Sequence, residues 1–234
     1  EAKRLLEYES LIFDYFENKT IISEQDRNLI YHPDQKKIKV VCNGVDTAYF
    51  HPIDSPKQFD LSFNGNMSYP PNIDSAIFLC EKILPLLNKE GLNLKTLISG
   101  ANPTKEVKQL GLKFPSVTVT GWMDDIREAY SKSKIFIAPM QLGTGLQNKL
   151  LEAMAMGLPC ITTQLANNAL GAKPEEEILI GNTPLELANQ IKRLLNDPTL
   201  YSKIAINGKN LATNRFNWKT ATGGLLEIIE NTKK

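Results

Sequence analysis

P-M-Q-L-G-T-G-L-Q-N-K-L-L-E-A-M-A-M-G-L-P-C-I-T-T (139–163) reads as a glycine-bearing turn, a helix at about 146–156, a stop at Gly157 and a new strand opened by Pro159. The run before it, K-I-F-I-A-P (134–139), is a buried strand. A strand, a glycine turn and a helix in that order expose free backbone N–H groups at the positive end of a helix dipole, an anion site suited to phosphate. Gly143 and Gly145 let the backbone come close to a ligand. Asn148 and Glu152 are four apart and Lys149 is three before Glu152, so the three share one helix face, while Leu150, Leu151, Met154 and Ala155 pack elsewhere. A plainer reading of the same residues is a core helix with a Lys–Glu surface pair. G-T-G-L-Q-N (143–148) half-matches a dinucleotide fingerprint, but its last glycine is missing and the turn follows a fourth strand rather than a first.

Outward from that stretch, strands and helices alternate. F-D-L-S-F (59–63), L-K-T-L-I-S (94–99), V-T-V-T (117–120), P-C-I-T-T (159–163) and E-I-L-I (177–180) read as strands. Asn72 reads as the cap of a helix whose Ile73, Ala76, Ile77, Cys80, Ile83, Leu84 and Leu87 form one buried face. Helices follow at 103–110, 124–132, 184–196, 199–213 and 218–231, the 184–196 one with a capping box of Thr183, Pro184 and Glu186. Strands without polar faces belong to a parallel sheet covered on both sides, so 53–215 is expected to be a doubly wound α/β unit. Ligands of such sheets bind at the carboxyl ends of the strands, near the switch in strand order. The turns at 64–72, 99–103, 120–125 and 139–149 therefore matter most. Upstream, a helix is expected at 3–18, a strand at 19–23, a helix at about 24–31 and a strand at 39–42, before an Asn-Gly turn and extended segment, N-G-V-D-T-A-Y-F-H-P (43–52), that marks a boundary.

The chain has 234 residues, 42% hydrophobic and 23% charged, with 27 Lys+Arg against 26 Asp+Glu. These values exclude a disordered chain and a disulfide-stapled scaffold, and a net charge of +1 gives no global field for nucleic acid or an anionic membrane. No apolar run approaches the ~20 residues of a bilayer span. Cys42, Cys80 and Cys160 are odd in number, far apart and set in apolar runs, which suggests buried free thiols in a reducing, cytoplasmic compartment. With only His32 and His51, no metal site is expected. The helical stripe already running at Leu5, Leu6, Ile12, Phe13 and Phe16 leads us to expect a fragment whose upstream part lies elsewhere.

The stretch 139–163 resembles the C-terminal domain of retaining GT-B glycosyltransferases of the family 4 or group 1 kind. L-E-A-M-A-M-G-L-P-C-I-T-T (151–163) is similar to the group's signature, 43–52 to its interdomain connection, and T-G-W-M-D-D (120–125) to one of its turns. G-N-M-S-Y-P-P-N (65–72) with G-T-G-L-Q-N-K (143–149) resembles a bacterial polysaccharide subgroup. The likeness runs over almost the whole chain and in the same order. It implies a Rossmann-like doubly wound parallel sheet, the C-terminal half of a GT-B fold, that binds a nucleotide-diphospho-sugar donor. Residues 1–42 would be a remnant of the N-terminal acceptor-side domain, 43–52 the linker, 53–215 the donor-binding domain, and 216–234 a helix crossing back. The acceptor, a saccharide or a lipid-linked one, and the main catalytic residues would then belong to the rest of the N-terminal domain. The donor is a substrate, and no cofactor is implied.

Carried over residue by residue, Glu152 matches the second glutamate of the family's E-x7-E motif, which accepts from the ribose hydroxyls; two carboxylate oxygens suit a vicinal diol. The first glutamate, which contacts the donor sugar, is replaced by Thr144, so sugar contacts would fall to its hydroxyl and to backbone N–H groups of Thr144, Gly145 and Leu146. The family's arginine and lysine after the first strand are also missing: Gly65 and Asn66 are followed by no cation until Lys82. A leaving diphosphate needs its charge neutralised, so Lys149 is expected to replace that pair in part. Gly100 and Ala101 would line the base pocket, with Trp122 and Met123; Trp122 either stacks on the base or is a buried aromatic covering the sheet edge. Asp124 and Asp125 are expected to cap a helix, not to hold a metal. The competing reading is a nucleotide- or sugar-binding module without catalysis, since Thr144 and Asn66 both remove charge. The resemblance leaves open a peripheral place for the full enzyme at the inner face of the cell membrane.

Overall fold

The computed structural model describes residues 1–143 and 145–232. The N-terminal segment holds α1 (Ala2–Phe13), β1 (Thr20–Ile21), α2 (Glu24–Leu29) and β2 (Lys39–Val40), with β1 and β2 paired in parallel. Its elements are shorter than the pattern suggests. Ser23 stops the first strand by capping α2, its Oγ accepting from the Asp26 N–H at 3.0 Å.

The main sheet is built from β3 (Phe59–Asn64), β4 (Thr96–Ser99), β5 (Val117–Val119), β6 (Ser133–Ala138), β7 (Cys160–Thr162) and β8 (Leu179–Ile180). Among the described residues these six strands are all parallel, in the order β5-β4-β3-β6-β7-β8. The chain steps outward from β3 to β5, returns past β3 to β6, and continues the other way. The strand order therefore reverses between β3 and β6, and the turns after these two strands flank an open crevice. Leu61, Phe63, Ile98, Phe136 and Ile137 are fully buried because helices cover both faces, which is why these strands read as apolar runs rather than alternations.

The helix after β3 corrects the expected cap. It is α3 (Pro70–Phe78), and Tyr69 is its capping residue; Pro70 and Pro71 supply the first turn, where a missing N–H costs nothing. Asn72 is inside the helix. From Leu79 to Ile83 the helix widens into a π turn and resumes as α4 (Leu84–Lys89), just where Pro85 has no N–H to donate backward. Ala76, Cys80, Ile83, Leu84 and Leu87 are buried as expected and Leu79 joins them, whereas Ile73 and Ile77 are only partly buried.

Next come α5 (Lys105–Lys113), α6 (Arg127–Ser131) and α7 (Asn148–Ala155). A helix absent from the sequence reading, α8 (Gln164–Leu170), follows β7; Thr163 caps it and Gly171 ends it in the left-handed region at φ 63°. α9 (Pro184–Asn196) has the expected capping box, and α10 (Pro198–Arg215) and α11 (Trp218–Thr232) follow. Val45 of segment 43–52 bridges to Asn217 before α11. Cys80 and Cys160 are buried free thiols; Cys42, against expectation, is only half-buried. Among the described residues no helix is long and apolar enough to cross a membrane.

Candidate functional site

Three turns at the carboxyl edge of the sheet are stitched together by their backbones. Gly65 N–H donates to Ser99 O at 3.0 Å, Met67 N–H to Ala101 O at 2.7 Å, and Gly100 N–H to Gly121 O at 2.8 Å. Two glycines allow this approach. Gly100 sits at φ 134°, and a Cβ there would lie 1.8 Å from Gly65 O. A Cβ on Gly65 would lie 2.7 Å from Asn72 Nδ2.

These turns, with α7 on the other side of the strand switch, enclose a cavity of ≈ 550 Å³, within the range of small-molecule sites. Of the residues proposed from sequence, Gly65, Asn66, Gly100, Trp122, Met123, Asn148, Lys149 and Glu152 line it. Gly143, Gly145 and Leu146 lie on the turn between β6 and α7 but outside the lining: Leu146 packs toward the core, and a Cβ on Gly145 would meet Asp26 Oδ2 at 3.9 Å. Thr144 lies outside the described residues. Trp122 is 73% exposed at the rim, which overturns the alternative of a buried aromatic.

Glu152 and Lys149 are not a surface ion pair. The buried Tyr130 hydroxyl donates to Glu152 Oε2 at 2.6 Å. Burial pushes the Glu152 carboxyl above its ordinary pKa, opposed by the Tyr130 hydrogen bond and by Lys149. Tyr130 is itself raised well above the usual phenol value, by burial first and then by Glu152. Lys149 donates to Asn72 Oδ1, stands 5.2 Å from the Phe63 ring centroid and 3.9 Å from Met140 Sδ. In this largely apolar setting burial lowers its pKa from 10.5 to about 8. The Glu152 carboxylate opposes this fall, so Lys149 is a part-buried cation with a carboxylate nearby but no direct ion pair to it among the described residues.

Tyr130, Asn72, Asn64 and Tyr49 also line the cavity and were missed by the sequence reading. Asn64 is buried; its Oδ1 accepts from Ser99 Oγ at 2.8 Å, while its Nδ2 approaches Tyr130 without a hydrogen bond of ordinary geometry. The rim is fixed by an ion pair. Arg127 Nε and Nη2 grip the Asp125 carboxylate at 2.7–3.0 Å, and Tyr49 O–H donates to Asp125 Oδ1 at 3.1 Å. The hydrogen bond from the Arg127 guanidinium is the main reason the Asp125 pKa falls to about 2. Asp125 Oδ1 also accepts the Arg127 N–H at 2.9 Å, but α6 begins at residue 127 rather than 124 and its cap is Ile126, so neither Asp124 nor Asp125 is the capping residue expected.

A doubly wound parallel sheet with a polar-floored cavity at its strand switch defines a Rossmann-like α/β unit. Residues 58–197 match the family described as Glycosyl transferases group 1, and the chain belongs to that family. It is 29% identical to an uncharacterized 44.6 kDa protein in the cps region of Klebsiella pneumoniae, over 90% of this chain and 56% of that protein. It is 28% identical to the capsular polysaccharide biosynthesis glycosyltransferase CapM of Staphylococcus aureus, over 61% of this chain and 39% of that one. The chain thus spans about half the length of the curated relatives it matches. Among solved structures, Anabaena HepE in complex with UDP and glucose superposes with a TM-score of 0.77 at 17% identity, over 96% of this chain and 66% of that one. The C-terminal domain of a group 1 glycosyl transferase (LpcC) from Francisella tularensis gives 0.56 at 22% identity, over 75% of this chain and all of that domain. Both share the fold.

Proposed function

We propose that this chain is the donor-binding half of a retaining glycosyltransferase of polysaccharide or glycolipid synthesis, and that it takes a nucleotide-diphospho-sugar into the cavity at the β3/β6 switch. In this reading 53–215 holds the donor, 1–42 belongs to the acceptor-side domain, 43–52 links the two, and 216–234 returns to that domain. The observation that carries it is Lys149. An ammonium has three N–H donors, and Asn72 Oδ1 takes one of them with a neutral acceptor. The remaining positive charge, desolvated in a cavity, suits an anion such as a diphosphate. Glu152 adds acceptance for ribose hydroxyls: Tyr130 occupies Oε2, and among the described residues Oε1 takes no hydrogen bond.

Thermal unfolding with UDP, GDP, ADP and CDP, each beside its nucleoside, tests the reading. A ligand at a hundred times its Kd stabilises by about 2.7 kcal/mol, or roughly 5–10 °C for a chain of this size. One diphosphate is expected to reach that shift and its nucleoside to fall short. No shift with any of them overturns the donor-site reading. Because transfer would need both halves closed around the substrates, the 234-residue chain alone is expected to show no turnover with the matching nucleotide sugar.

A further inference from the structure

Asn72 lines the cavity with 5% of its surface exposed. Its carboxamide is used at both ends. Nδ2 donates to the Asn66 backbone carbonyl at 2.9 Å, and Oδ1 accepts from Lys149 Nζ. The Asn66 end is built with care. Asn66 Oδ1 accepts from the Ser68 N–H at 3.1 Å and from Ser68 Oγ at 2.9 Å, which closes the turn, and Gly65 leaves the room that the Asn72 amide occupies. Pro70 and Pro71 fix the first turn of α3 and so the direction from which Asn72 enters. One amide therefore joins the turn after β3 to the first turn of α7, across the point where the strand order reverses.

We propose that Asn72 is a positioning residue for the donor diphosphate: its carboxamide couples the turn after β3 to the Lys149 ammonium and sets where the negative charge of a nucleoside diphosphate settles. This inference rests on the placement of a diphosphate at Lys149 argued above. The chemistry of the amide favours it. A lysine side chain is long and flexible, and an ammonium is a point charge without directional preference. A carboxylate at position 72 would orient that ammonium but cancel its charge. A neutral amide orients it and leaves the charge for the ligand, while one of its two N–H groups ties it to the Asn66 carbonyl. Phe63 and Met140 offer the ammonium no strong acceptor, and Glu152 acts on it through space without a direct hydrogen bond, so the hydrogen bond that sets its place is the one to Asn72.

The test is a double-mutant cycle read by titration calorimetry. The probe is whichever of UDP, GDP, ADP or CDP stabilises the chain most, with its nucleoside as control. Asn72→Ala is expected to weaken the diphosphate about five- to twentyfold and the nucleoside less than about twofold. In a Lys149→Ala background the same substitution is expected to add less than about twofold. Equal losses for diphosphate and nucleoside, or the full loss repeated without Lys149, would show that Asn72 only shapes the turn and overturn the proposal. Asn72→Ser, smaller but polar, runs the same cycle if the alanine variant does not fold. The Lys149→Ala single variant reads the underlying placement separately: unchanged diphosphate affinity there removes the diphosphate from Lys149 altogether, whatever Asn72 does.

Discussion

Tyr130 and Glu152, 22 residues apart, meet through a 2.6 Å hydrogen bond in which the phenol donates and the carboxylate accepts. Tyr130 has no exposed surface and packs against the Phe50 and Phe136 rings at 6.3 and 5.5 Å between centroids, so its hydroxyl is a fixed point. That fixes Glu152 in turn. A carboxylate on the first turns of α7 would otherwise choose among several rotamers.

Tyr130→Phe removes the donor and leaves the carboxylate buried without it. A hydrogen bond to a charged group is worth about 1.5–3 kcal/mol, and the variant should lose stability of that order. The hydrogen bond also holds the Glu152 pKa down against burial. Without it the carboxyl takes up a proton at higher pH than in the wild type. Calorimetric titration of the nucleoside between pH 5 and 7 should therefore show binding to Tyr130→Phe failing earlier on acidification. Identical pH profiles would mean that Tyr130 does not support Glu152.

The sheet and the α7 half of the site were legible in the sequence for definite reasons. Buried parallel strands leave apolar runs, and residues three or four apart on a helix share a face, which was enough for Lys149 and Glu152. What spacing cannot show is a partner from another element. Tyr130 carries no signal of its own in the sequence, and Asn72, an asparagine at the head of an apolar stripe, reads as a helix cap although Pro70 and Pro71 already occupy the first turn. The surface Lys–Glu pair that the spacing also allows is corrected by the bond of Glu152 to a buried phenol. α8 was missed because Q-L-A-N-N-A-L is too polar for a stripe; its two ends, Thr163 and Gly171, were the available signal.

Gly100→Ala should damage the site from its backbone. A side chain is strained at φ 134°, and the new Cβ would overlap Gly65 O at 1.8 Å, so the turns after β3 and β4 must part. A destabilisation of about 2 kcal/mol or more is expected, with weaker nucleotide binding at temperatures where the variant remains folded. Denaturant unfolding measures the first and calorimetry the second. A midpoint within error of wild type would contradict the close approach of the two turns.

Lys149→Ala separates charge from shape. It relieves the cost of burying a cation but also removes the charge that supports the Glu152 carboxylate, so the two effects oppose and the empty protein's stability should change little. The diphosphate loses a charge-assisted contact of about 1.5–3 kcal/mol, roughly ten- to a hundredfold in Kd, while the nucleoside is nearly unaffected. Equal losses for the two ligands would reduce Lys149 to scaffolding.

The same lysine makes binding depend on pH on the alkaline side. Burial brings its pKa in the empty protein from 10.5 to about 8, so above about pH 8 the cavity increasingly holds a neutral amine. Affinity for the diphosphate should fall as pH rises from 7 to 9, by at most about tenfold per unit beyond the pKa, while the nucleoside control cancels any titration of the base. Folding runs in the opposite sense. Below about pH 8 both folded and unfolded chains carry the proton, and the fold bears the cost of burying the charge. Between about 8 and 10.5 the unfolded chain holds the proton and the folded chain has released it, so this cost is relieved as pH rises. The Tm difference between wild type and Lys149→Met should therefore shift in favour of wild type between pH 7.5 and 9.5, as its diphosphate affinity declines. Diphosphate affinity that stays flat across this range in the wild type would show that the ammonium of Lys149 is not what holds the ligand.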